Sequence, residues 1–151
     1  MYHAFVRRIV RNGFRKMNEA HDAAHIVAQF DDDATFTFLG DHALGCERRG
    51  RAAIAAWFVH LFETFPNLAF EPLAVVVAGP PWATMVATRF RVVSTLPDGS
   101  AYANEGMQFM RIRFGKVQED RIYEDTAKLM AALTTIAQFG AKNVRATNVY
   151  D

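Results

Sequence analysis

"GRAAIAAWFVHLFETFPNLAF", Gly50 to Phe70, contains the change of pattern that decides the fold. From Gly50 to Phe65 it is alanine-rich and apolar on more than one side, which predicts a helix that other elements must cover. Pro66 ends that helix, because the residue before a proline is pushed out of the helical region. Beyond it the apolar period becomes two and stays there, over about 68–78, 83–95, 101–113 and 116–124. The separators "GPPW", "LPDGS" and "FGK" are turn-forming and short, so these runs are expected as consecutive antiparallel strands.

Toward the N-terminus, Phe5, Val6, Ile9, Val10, Phe14 and Met17 recur at spacings of three and four with arginines between them, which predicts an amphipathic helix over 2–17. Asp22 is placed to cap a second, shorter helix containing Ala23, Ile26, Val27 and Phe30, which the acidic run "DDD" at 31–33 would end. "ATFTFL", Ala34 to Leu39, reads as a strand and is followed by a glycine-containing loop. At the other end, "TAKLMAALTTIAQ" at 126–138 reads as a closing helix, and the polar residues 140–151 as a loosely held tail. The expected layout is one domain over 1–139. Helices followed by a strand meander make it α+β, with a cone-shaped curved antiparallel sheet wrapped around helices and a pocket at the open end.

Composition bounds the function. At 51% hydrophobic and 22% charged residues the chain is globular, and thirteen phenylalanines point to an interior lined with rings. A formal charge of +1 argues against nucleic acid as the partner, and Arg7, Arg8, Arg11, Arg15 and Lys16 read as the wet side of the first helix. No apolar run approaches the ~20 residues that cross a bilayer, so no membrane partner is expected. Cys46, the single cysteine, has no internal partner, and the N-terminus lacks signal-peptide character, so a cytoplasmic location is the expectation.

Several motifs, "FDDDATF", "GRAAIAAWF", "TFPNLAF", "PDGSAYANEGMQFMRI" and "GKVQEDRIYED", stand in the order seen in the nuclear transport factor 2 fold, also described as a cystatin-like α+β barrel. Within it the chain most resembles the SnoaL-like group, relatives of ketosteroid isomerase and polyketide cyclases, over roughly residues 5–138. The resemblance implies the conical fold and a homodimer formed through the outer sheet face. It also shows departures. The tyrosine donor of ketosteroid isomerase aligns to Phe14, its general base to Phe38, and its protonated aspartate near Gln108, so steroid isomerisation by that route is not expected. The second aspartate of limonene-epoxide hydrolases falls near Ile122, and neither Arg89 nor Arg91 has an acid at the spacing that site needs.

In polyketide-cyclase relatives a pocket carboxylate acts as acid or base, and the family pattern matches Asp125 to an aspartate at the pocket mouth. Asp125 is therefore the catalytic candidate, although it also stands where an N-cap belongs. Tyr123 is a candidate donor and His21 a candidate base at the mouth. Glu119, Asp120 and Glu124 read as solvated, or as partners of Arg121. Phe14, Phe38, Trp57 and Met110 are expected as pocket wall, with the amides of Asn104 and Gln108 either orienting a ligand or satisfied within the core. His21 and His25 have helical spacing but no third ligand, so no metal is expected. The expected function is a cofactor-free SnoaL-like enzyme, not a true ketosteroid isomerase. It would carry out isomerisation, hydration or cyclisation on a small apolar ligand bearing oxygen. The alternative is a non-catalytic binding or dimerisation module on the same fold.

Overall fold

The structure, a computed structural model, describes residues 1–139 and 149–150. The first apolar periodicity forms α1 (Tyr2–Ala20), which runs past the expected end at 17. It buries Val6, Phe14 and Met17, and ends at His21 in the left-handed conformation (φ 52°), whose N–H returns to the Met17 carbonyl. α2 (Ala24–Val27) is a single turn, with the Asp22 carboxylate accepting from the Ala24 N–H at 3.0 Å.

Phe30, expected in that second helix, instead opens β1 (Phe30–Phe38), so the acidic run lies within a strand and does not end a helix. Side chains from neighbouring elements hold these acids. Asp31 accepts from the Gln118 amide at 2.8 Å, Asp32 pairs with Arg51, and Asp33 lies 4.0 Å from Arg49. Part of the loop expected next is a strand, β2 (Cys46–Arg49), antiparallel to β1 with Phe38 opposite Cys46.

α3 (Arg51–Thr64) stops before Pro66 as its sequence requires. Apolar almost all round, it fills the angle against β1 with rings: Trp57 lies 4.6 Å from Phe36 and 5.3 Å from Phe38, centroid to centroid. Its indole N–H, which burial would otherwise leave unsatisfied, donates to the Leu44 carbonyl at 2.8 Å.

The period-two runs form β3 (Ala69–Ala78), β4 (Thr84–Thr95), β5 (Ala101–Arg113) and β6 (Lys116–Glu124), each antiparallel to the next. β3 is an edge strand, where Pro72 and a register shift between Pro72 and Ala74 are tolerated. α1 lies along it, fixed where Asn18 both donates to and accepts from the Phe70 backbone, at 2.8 and 2.9 Å. On its other side β6 pairs in parallel with β1, Asp120 opposite Phe36. The sheet is curved and unclosed, in the order β3-β4-β5-β6-β1-β2 and then a two-residue strand, β7 (Val149–Tyr150). α4 (Thr126–Gln138) covers one end through Leu129, Ala132, Leu133 and Ile136. Of the expected loose tail at 140–151, only Val149–Tyr150 lies among the described residues; it forms β7, parallel to β2.

Candidate functional site

Between α1, α3 and the concave face of the sheet is a cavity of about 330 Å³. Protein interiors are close-packed, so a space this large and this apolar is a built feature in the range of small-molecule pockets. Phe14 and Val10 of α1, Trp57 and Leu61 of α3, and Phe90 and Met110 of the sheet form much of its wall. The lining side chains exposed to solvent are Phe5 (51%) and Ile9 on α1 and Phe114 (67%) in the β5–β6 turn, which places the mouth there. That turn has positive φ at both central residues, Phe114 (46°) and Gly115 (78°), the requirement of a type I′ hairpin. A phenylalanine in this conformation is strained, and its N–H is held by the Pro81 carbonyl at 2.8 Å.

Few polar side chains face this space, and two of them form a pair. Gln108 of β5 donates through Nε2 to Asp120 Oδ2 of β6 at 2.9 Å. Asp120 is 1% exposed, flanked in register by Phe36 on β1 and Met110 on β5, with no compensating cation among the described residues. Burial favours the neutral acid, and although the Gln108 bond works the other way, the carboxyl is pushed up from 3.8 to about 7. Asp120 Oδ1 and Gln108 Oε1 are both buried without a hydrogen-bond partner among the described residues. A carboxyl that exchanges its proton near neutrality, with one oxygen unengaged in an apolar cavity, is equipped to give or take a proton.

Glu124, four residues further along β6, also lines the cavity. Desolvation alone raises its carboxyl to about 7. Gly106 stands opposite it in register; a Cβ there would lie 2.6 Å from the Phe90 ring tip and 2.8 Å from Glu124 Cγ. The missing side chain is therefore what admits both groups. Tyr102, stacked on Phe65 with ring centroids 5.3 Å apart, accepts a bond from Asn104 Nδ2 at 3.0 Å. Its phenol is held protonated, chiefly by burial and then by the nearby Glu124 charge.

The residues expected from sequence divide in two. Phe14, Phe38, Trp57, Gln108 and Met110 line the cavity, while Asn104, Asp125, Tyr123 and His21 do not. Asn104 is satisfied within the fold: it donates to Tyr102 and to the Asp125 carbonyl, and accepts from the Glu105 N–H. Asp125 is the N-cap of α4, its Oδ1 accepting from the N–H groups of Ala127 and Lys128 at 3.1 and 3.3 Å. Tyr123 is 45% exposed beside Arg121, which donates to its hydroxyl at 3.1 Å, and His21 is exposed at the end of α1.

The carboxylates read as solvated, Asp120 and Glu124, are the ones that face the cavity. Strict alternation along β6 puts Val117 on the face opposite Asp120, which leaves neither face plainly apolar. The structure resolves this with a register shift: Glu119 pairs with Arg111 but Val117 with Ile112, leaving Gln118 as an extra residue. Beyond the bulge Asp120, Ile122 and Glu124 point inward together with Val117. The usable signal was Val117 and Ile122, two apolar residues of opposite parity in one short strand. Among the described residues no cluster of three or more metal-ligating side chains occurs, and no helix is long and apolar enough to cross a membrane.

Comparison with solved structures finds the same fold at low identity. An NTF2-like protein from Burkholderia thailandensis is 19% identical with a TM-score of 0.69, covering 81% of this chain and 92% of its own. TerC, co-crystallised with polyporic acid, is 16% identical with a TM-score of 0.66, covering 84% of this chain and 95% of its own. A protein of ketosteroid isomerase-like fold from Catenulispora acidiphila, in complex with trimethylamine, is 18% identical with a TM-score of 0.59, covering 74% and 79%. No curated protein matches the chain in sequence. The model of the SnoaL-like domain matches residues 10–120, from the second half of α1 to the middle of β6, and the chain belongs to that family.

Proposed function

We propose that this chain binds a small, apolar, oxygen-bearing molecule in its cavity and moves a proton within it, with Asp120 as the acid and base. The observation that carries this reading is the unpartnered Asp120 Oδ1 in an apolar cavity of about 330 Å³. In the neutral form Asp120 donates to a ligand oxygen. In the ionised form it takes a proton from an adjacent C–H and returns it elsewhere on the same molecule, so the step balances without net oxidation. Gln108 fixes the carboxyl from the side and presents its free Oε1 to the ligand. TerC, of the same fold, was co-crystallised with polyporic acid.

A binding module without chemistry is the second reading, and one observation favours it. Phe14 and Phe38, the positions that align to the donor and base of ketosteroid isomerase, put only rings into the cavity. Deuterium exchange into 2-tetralone, an apolar ketone with acidic α-hydrogens, separates the two. Exchange above the buffer rate that disappears in Asp120→Asn, with 2-tetralone affinity retained, supports proton transfer. Binding with no exchange leaves the binding module; exchange unchanged in Asp120→Asn removes the role given to Asp120.

A further inference from the structure

Asp120 and Gln108 account for one polar station, but Glu124 is not used by it. Successive residues on a strand rise about 3.3 Å, which sets Glu124 roughly 13 Å beyond Asp120 and away from the Phe114 turn. Among the described residues no hydrogen-bond or ion-pair partner holds its carboxylate, and burial is the one influence shifting it. The Phe90 ring tip shares the space over Gly106 with it, and the Tyr102 phenol, which also lines the cavity, is near enough to feel its charge. The titratable groups lining the cavity are Asp120, Glu124 and Tyr102 on the sheet and Tyr2 on α1; α2, α3 and α4 contribute none, and among the described residues no Lys, Arg or His lines it. Asp125, just outside, adds a further negative charge near Tyr102.

An anionic ligand entering this space would meet acids without a single cation to offset its own desolvation. A protonated amine would meet a carboxylate and a phenol oxygen, both attractive to a cation. We propose that Glu124 and Tyr102 form a subsite for a protonated amine, so that the ligand is an apolar body with a basic nitrogen at the end remote from Phe114. This rests on the cavity being a ligand site and adds the charge of the ligand to that reading. Because burial holds the Glu124 carboxyl near 7, an arriving ammonium ionises it and expels its proton. Amine affinity then falls by up to about tenfold per pH unit below 7, where the proton must first be removed.

The test uses octylamine, 1-octanol and octanoate, which share a chain and differ in head charge, titrated calorimetrically into the purified protein at pH 7.5. The expected order is amine, then alcohol by about tenfold, with octanoate weakest. In Glu124→Gln the amine and the alcohol should bind within about threefold of each other, with octanol affinity little changed. For the wild type, titration of octylamine at pH 7 in two buffers of different ionisation enthalpy should show release of about half a proton, a readout that needs no variant. Octanoate binding as well as octylamine, an amine preference that survives Glu124→Gln, or no proton release overturns the proposal. Octanol binding without an amine preference removes this inference alone. Failure of all three probes to bind removes the cavity reading with it.

Discussion

Replacing Asp120 by Asn tests the electrostatics of the site without a substrate. Asparagine keeps the shape of the neutral acid: its amide oxygen accepts from Gln108 and its NH₂ faces the cavity. The wild-type carboxyl titrates at about 7 in the folded protein against 3.8 in the unfolded chain. Between those values the folded state binds more protons than the unfolded one, so wild-type stability falls as pH rises through the window and levels off above it. At about 1.4 kcal/mol per pH unit the full loss is at most roughly 4 kcal/mol. Glu124 produces a similar slope in both proteins and cancels in the comparison. Asp120→Asn should therefore match the wild type below pH 4 and exceed it by up to roughly 4 kcal/mol at pH 8.5. In melting temperature that is on the order of 10 °C for a chain of this size. Urea unfolding of both proteins at half-unit pH steps reads the difference directly. A difference that does not change with pH, or a wild type that gains on the variant as pH rises, would refute the account of Asp120 as a buried neutral acid.

Four further outcomes follow from particular contacts. Gly106→Ala places a methyl 2.5 Å from the Tyr123 carbonyl and against Phe90 and Glu124, and should cost about 1–3 kcal/mol in urea unfolding while weakening octylamine binding. Asp125→Ala should cost about 1 kcal/mol through loss of the α4 cap and leave ligand affinity unchanged; a large loss of affinity at full stability would return Asp125 to the site. Phe114→Asn relieves the left-handed phenylalanine and should raise stability by up to about 1 kcal/mol, read by thermal melting. On the outer sheet face Met107 is 45% exposed beside Tyr123, and if a second copy covers it, Met107→Glu should convert a dimer to a monomer in sedimentation velocity. A wild-type chain that sediments as a monomer removes that interface.

The meander was legible to within a residue because its alternation is strong and each turn carries its own chemistry. β4, with buried residues at every second position, is the clearest case. The region from 22 to 49 was harder. Asp31 to Asp33 look like a helix stop, but in the fold their charges are met by Arg49, Arg51 and Gln118, partners that no local pattern announces. β2 has four residues, too few for periodicity to register. The rings of the site could be placed from sequence because a phenylalanine at helical or strand spacing has few destinations. The acids could not. One extra residue in β6 reversed the face of Asp120 and Glu124, and the sequence offered Asp125 as a plausible substitute because caps and catalysts use the same side chain.

The parallel pairing of β1 with β6 joins Phe36 to Asp120 across more than half the chain. Contacts so distant in sequence form slowly, because a long loop must close before they repay its entropy. The β3–β6 hairpins can assemble from neighbours, but until the N-terminal strand arrives one flank of Asp120 is open to water and its carboxyl has no reason to hold a proton. The chemical character of this residue is thus acquired late, and belongs to the completed topology more than to any segment of it. A fragment lacking the first strand would keep the aspartate and lose the acid.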